Sequence, residues 1–225
     1  MKVGVVVFPG SNCDHDAWYA LNRNVGVTAE YIWHDEHSLG QSDAILLPGG
    51  FSYGDYLRCG AIARFSPVMS AVRKFAAGGG PVLGICNGFQ ILVESGMLPG
   101  ALLRNAGLTF VCRTIRLRVE SSASPFTCSL GRGQTLNLPV AHGEGRYHAD
   151  DWSLDMLEAE DLVAFRYLDN PNGSARDIAG ILNEDRNVLG MMPHPERACD
   201  ALMGSTDGLG VFASLVESLA RVHAA

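Results

Sequence analysis

The chain has 225 residues, 47% of them hydrophobic and 18% charged, a balance that supports a sizeable core and excludes a disordered chain. Its net charge of -7 argues against a nucleic-acid-binding surface, which needs a basic patch. No apolar run approaches the ~20 residues needed to cross a bilayer, and the N-terminus lacks the layout of a signal peptide.

Val3 to Phe8 is a continuous, mostly β-branched apolar run and predicts a buried strand. The turn Pro9-Gly10-Ser11-Asn12 then opens a helix over about Asp14 to Asn24; it lacks GxGxxG and so carries no dinucleotide fingerprint. Further strands are predicted at Ala29 to Trp33 and at Asp43 to Leu47, the latter stopped by Pro48-Gly49-Gly50. Phe51 to Phe65 is glycine-rich, aromatic and polar, and reads as no regular element. A helix from Pro67 to Ala77 gathers Val68, Ala71, Val72 and Phe75 on one face. Val82 to Ile85 is a fourth strand, followed by a helix that aligns Phe89, Leu92 and Val93 and ends near Gly96. This alternation predicts a parallel α/β sheet whose loops after Phe8, Leu47 and Ile85 meet at the carboxyl ends of the strands. Beyond Leu103 the rhythm changes. Thr109 to Val119, Leu136 to Val140, Leu162 to Tyr167 and a hairpin over Ile178 to Leu189 add antiparallel strands, and a helix over Leu209 to Arg221 closes the chain. Arg113, Arg116 and Arg118 alternate with apolar residues and mark the outer face of a strand. No linker separates these parts, so a single domain over 1–225 is expected.

The chemistry is concentrated where the fourth strand turns into its helix. Gly84-x-Cys86-x-Gly88 has the form of a nucleophile elbow with cysteine in place of serine. The helix N-terminus behind Cys86 offers unpaired N–H groups and partial positive charge, which favour thiolate. The competing reading is a buried cysteine that only fills space at a strand end. A base is available in Met191-Met192-Pro193-His194-Pro195-Glu196-Arg197, where the prolines keep the chain extended and place His194 and Glu196 on one side. A nucleophile, a base and an orienting carboxylate make a triad. The same residues also fit a surface loop, or two metal ligands lacking a third at a supporting spacing; no metal is expected. Six cysteines without a CxxC pair point to a reduced, cytoplasmic setting. In Pro139 to Tyr147, glycines alternate with His142, Glu144 and Arg146, which suits either a ligand-approaching loop or a hairpin with solvated charges.

Gly84-Ile85-Cys86-Asn87-Gly88-Phe89-Gln90, together with Pro193-His194-Pro195-Glu196, resembles the class I, triad-type glutamine amidotransferases. Within them, the blocks Phe8 to Asp14, Leu47 to Asp55, Ala141 to Arg146, Tyr167 to Ser174 and Met192 to Arg197 are similar to the glutaminase subunits of phosphoribosylformylglycinamidine synthases. The resemblance implies a flavodoxin-like fold and hydrolysis of glutamine through a thioester on Cys86. His194 would carry the proton and Glu196 would orient it. Backbone N–H groups of Asn87 and of Gly50 or Phe51 would hold the oxyanion, while Gln90, His142, Gly143 and Glu144 would hold glutamine. Ammonia would pass to a synthetase subunit using ATP and magnesium to make formylglycinamidine ribonucleotide in purine biosynthesis, with a small bridging subunit between them. No cofactor is expected on this chain. Met1 begins at the first strand, so a free-standing subunit is expected, with Tyr53 to Arg64 as part of its docking surface. Three alternatives stay open: another cysteine hydrolase such as a γ-glutamyl hydrolase or peptidase, a non-catalytic interaction subunit, and an amidotransferase subunit of a different pathway.

Overall fold

The computed structural model describes residues 1–224. In chain order the strands are β1 (Lys2–Val7), β2 (Thr28–Trp33), β3 (Ala44–Leu47), β4 (Val82–Ile85), β5 (Ala101–Leu103), β6 (Val111–Val119), β7 (Thr135–His142), β8 (Arg146–His148), β9 (Val163–Tyr167), β10 (Ile178–Leu182) and β11 (Val188–Met191). The α-helices are α1 (Asp14–Tyr19), α2 (Pro67–Ala77), α3 (Asn87–Glu94), α4 (Asp151–Ala159) and α5 (Leu209–Ala224). One sheet of nine strands runs β2-β1-β3-β4-β11-β10-β9-β6-β7. Its first five strands pair parallel and the rest antiparallel, while β5 and β8 form a separate antiparallel pair. This is the α/β architecture with an antiparallel extension that the chain's rhythm predicts.

The parallel half is buried on both faces, which is why its strands are continuous apolar runs: every residue of β3, β4 and β11 is buried. On β6 the pattern alternates instead. Ile115, Leu117 and Val119 face the core and the arginines face water, as expected for a strand covered on one side. α2 starts with Pro67 just after Ser66 and buries Val68, Met69, Val72 and Ala76. α3 packs on β3, β4 and β11, the strands whose ends carry the polar loops.

Several elements differ from expectation, the short pair of β5 and β8 among them. The first helix is regular only to Tyr19 and continues to Val25 in wider π-type turns before Gly26 ends it in the left-handed region. α4 is not predicted, because only Leu154 and Leu157 are buried and the apolar stripe is thin; Asp150 caps it by accepting the Ser153 N–H at 2.8 Å. Phe51 to Phe65 carries only two short 3₁₀ turns, Ser52–Asp55 and Ala63–Phe65, and is otherwise irregular, with Tyr53, Asp55 and Leu57 at positive φ. No described helix is long and apolar enough to cross a membrane.

Candidate active site

The loops after β1, β3, β4 and β11 converge at the carboxyl edge of the sheet. Cys86 follows β4 at φ 51° and ψ -104°, a conformation that costs a non-glycine residue about 1–3 kcal/mol and persists only where the surroundings enforce it. They do. The Cys86 N–H donates to Met191 O at 2.8 Å, pinning the turn to β11. The two motif glycines allow backbones to touch: a Cβ on Gly84 would lie 2.7 Å from the Gly88 carbonyl, and one on Gly88 would lie 2.0 Å from Leu47 O. Cys86 is 5% exposed and its Sγ lies 3.7 Å from Ala141 O.

His194 and Glu196 stand beside it, as the spacing predicts. Their Nδ1 and Oε1 are 2.6 Å apart and both side chains are buried. The His194 N–H donates to Pro139 O at 2.8 Å, so β7 fixes the base from behind. Burial alone would discharge this imidazole, but the charges of Glu196 and Cys86 outweigh it and hold its pKa well above the usual histidine value. Gly49 is the floor shared by these groups. A Cβ there would fall 2.7 Å from His194 Cε1 and 3.4 Å from Cys86 Cβ. The arrangement places a nucleophile, a buried base and an orienting carboxylate together, next to a helix N-terminus that can receive developing negative charge.

A family model for the CobB/CobQ-like glutamine amidotransferase domain matches residues 1–208. The chain belongs to this family. Among solved structures it is similar to a chain of PurLQS from Thermotoga maritima, with 46% identity over 97% of this chain and 98% of that one and a TM-score of 0.89. Two more distant similarities show the fold alone. A candidate GMP synthase component from Thermoplasma acidophilum has 18% identity, coverage of 99% and 96%, and a TM-score of 0.69. A glutamine amidotransferase from Thermotoga maritima has 14% identity, coverage of 97% for each chain, and a TM-score of 0.61.

Around Cys86, His194 and Glu196, the other expected residues divide. Of the oxyanion donors, Asn87 opens α3 with its N–H at the helix start. Of the two N–H groups expected in the loop after β3, that of Phe51 donates to Gly10 O at 3.0 Å, which leaves Gly50 as the expected donor there. Gln90 is buried and works as a strut: its Oε1 accepts from Asn87 Nδ2 at 3.0 Å, and its Nε2 donates to Glu144 O at 2.6 Å. His142, expected to reach glutamine, turns inward. Its Nδ1 meets Asn105 Oδ1 at 3.1 Å and its Nε2 lies 3.5 Å from Asn172 Nδ2, because the interior offers it partners that solvent-side geometry does not. Burial, then the charge of His194, lowers its pKa to about 4, so it stays neutral. Gly143 and Glu144 line a cavity of about 210 Å³ with Arg104 and Phe110, and the Glu144 carboxylate faces Arg104 at 3.5 Å.

Sequence reading missed a set of positioning residues. Asn105 and Asn172 shape the 142–145 loop from distant segments, and Asn172 Nδ2 also donates to Gly145 O at 2.8 Å. Tyr53 pins the irregular segment through its hydroxyl, 2.8 Å from His34 Nδ1 and 2.9 Å from Ser66 Oγ. Cys13 lies against the base, 3.1 Å from the Cβ position of Gly49 and from Arg197 Nη2. Its signal was the turn after β1, already expected at this edge.

Proposed function

We infer that this chain is the glutaminase subunit of a phosphoribosylformylglycinamidine synthase, acting as one domain throughout its length. The observation that carries the pathway is the near-complete match to a chain of PurLQS at 46% identity. The geometry supports the chemistry. Cys86 Sγ, whose proton His194 already holds with its charge balanced by Glu196, attacks the side-chain amide carbon of glutamine as the thiolate. The oxyanion rests on the N–H groups of Gly50 and Asn87. His194 then returns the proton to the leaving nitrogen, ammonia departs, and water activated by the same imidazole hydrolyses the thioester to glutamate. Gln90 holds α3 to the 143–144 loop, so that loop keeps its place along the glutamine side chain.

Ammonia free in water becomes ammonium and loses its nucleophilicity, so it is passed directly to a synthetase subunit, which uses ATP and magnesium, with a small third subunit between them. A cytoplasmic setting belongs to this reading and is supported by six cysteines that form no disulfide. The nucleophile is nearly closed off in the isolated chain, so low activity alone and a rise on assembly are expected. The test is glutamine hydrolysis by the chain alone and with synthetase and bridging subunits, in wild type and Cys86→Ala. Activity should rise in the complex and vanish in the variant. Faster turnover of γ-glutamyl peptides than of glutamine, without any partner, would instead make the chain a hydrolase.

A further inference from the structure

His194 and Glu196 by themselves are two ligands without a third, and the fold supplies it from the opposite end of the chain. We propose that Cys13, His194 and Glu196 form a binding site for a thiophilic divalent cation, zinc foremost, whose occupancy switches the glutaminase off. The thiol, one ring nitrogen and one carboxylate oxygen lie within 4.8 Å of one another, and all three residues are buried. Zn–S near ~2.3 Å and Zn–N and Zn–O near ~2.1 Å place donors roughly 3.3–3.7 Å apart, so a contraction of about an ångström completes the set.

Several independent features point to a cation. Glu196 Oε2 is buried with no hydrogen-bond partner, although buried polar atoms are rarely left so. A thiolate, a carboxylate and a divalent cation sum to zero charge, which suits a dry site. Cysteine, histidine and glutamate together select zinc over magnesium or calcium, which take oxygen ligands. Burial pushes the Cys13 thiol pKa up, and Arg197 Nη2, 3.1 Å from Cys13 Sγ, works against that; Asp16 holds Arg197 Nε at 2.9 Å, and the Cys13 thiol donates to Asn12 Oδ1 at 3.4 Å. A cavity of about 660 Å³ lined by Glu196, Arg197, Asp16 and His15 borders the carboxylate side of the cluster.

The consequence follows from which ring nitrogen the cation takes. At Nε2 it removes the lone pair that accepts the thiol proton. At Nδ1 it comes between the ring and Glu196 and ends the hydrogen bond that orients the imidazole. Either stops proton transfer. Zinc drawn onto the nucleophile itself, Cys86 with His194, is the competing outcome.

The test titrates the full chain with cobalt(II), read by the near-ultraviolet thiolate-to-cobalt charge-transfer band, with zinc as competitor. Wild type and Cys86→Ala should each bind one equivalent with the band, and Cys13→Ala and Cys13→Ser should bind at least tenfold more weakly and lack it. A band lost with Cys86 and retained without Cys13, or no band in wild type, overturns the proposal. Should the Cys13 variants fail to fold, zinc-edge anomalous density in Cys86→Ala crystals decides: a peak among the three side chains supports the site, and a peak elsewhere or none overturns it. Neither readout depends on glutamine hydrolysis, so failure of the glutaminase reading leaves both intact.

Discussion

At the scale of single residues, Cys86 and its two partners divide the work in a way mutants can separate. Cys86→Ala keeps the elbow, since alanine meets the same positive φ penalty as cysteine, so it should abolish turnover while shifting stability by less than about 1 kcal/mol. Glu196→Gln keeps the shape and removes the charge opposite Nδ1; kcat should fall about 10²–10⁴-fold with KM little changed, measured by steady-state glutaminase kinetics in the complex. His142 makes a pH prediction. Its pKa falls from 6.5 in the unfolded chain to about 4 in the fold, so the unfolded state binds the proton first as pH drops. The residue therefore contributes stability at neutral pH that is lost as pH falls from 6.5 towards 4, up to about 3 kcal/mol. His194, with its raised pKa, runs the other way: its contribution is complete below 6.5 and fades as pH rises through the folded value. Urea midpoints at pH 7 and pH 4.5 should differ less in His142→Asn than in wild type.

At the scale of elements, the contact between α3 and β3 sets where the nucleophile stands. Gly88→Ala would drive a methyl to within 2.0 Å of Leu47 O, a backbone atom that cannot move aside; a loss of about 2–3 kcal/mol and of activity is expected, read by chemical denaturation and glutaminase assay. Gly131→Ala, where the new Cβ meets only Gln134 at 3.8 Å, should stay within about 0.5 kcal/mol of wild type. Legibility of elements followed burial. β3, β4 and β11 are buried on both faces and announce themselves as apolar runs, and α2 carries a clean stripe between Pro67 and Ala77. α4 escaped because it buries only two side chains, and the tail of the first helix loosens into wide turns for which the sequence carries no periodic signal.

At the scale of the molecule, the antiparallel extension serves the site through backbone contacts: Pro139 on β7 receives the His194 N–H, and Ala141 on the same strand faces Cys86 Sγ. The segment after the Gly50 loop leaves Tyr56 74% exposed and Leu57 89% exposed, beside the closed nucleophile. On the proposed function, a synthetase subunit is expected to dock here. Replacing both with serine should weaken the rise in glutaminase activity on assembly severalfold and leave the activity of the isolated chain unchanged, measured by titrating the synthetase into a coupled assay.

The sequence by itself determined the parallel half-sheet, the elbow and the pairing of His194 with Glu196. The strands of that half, the elbow and the His194–Glu196 spacing each depend on residues within a few positions of one another, where period and turn chemistry speak directly. Tertiary structure alone decided the rest. That Phe51 spends its N–H on Gly10, that His142 turns towards Asn105 and Asn172, and that Cys13 lies against the His194 imidazole all join segments far apart in the chain. Which partner a buried donor finds depends on how strands order and loops pack, and local sequence carries no record of that competition.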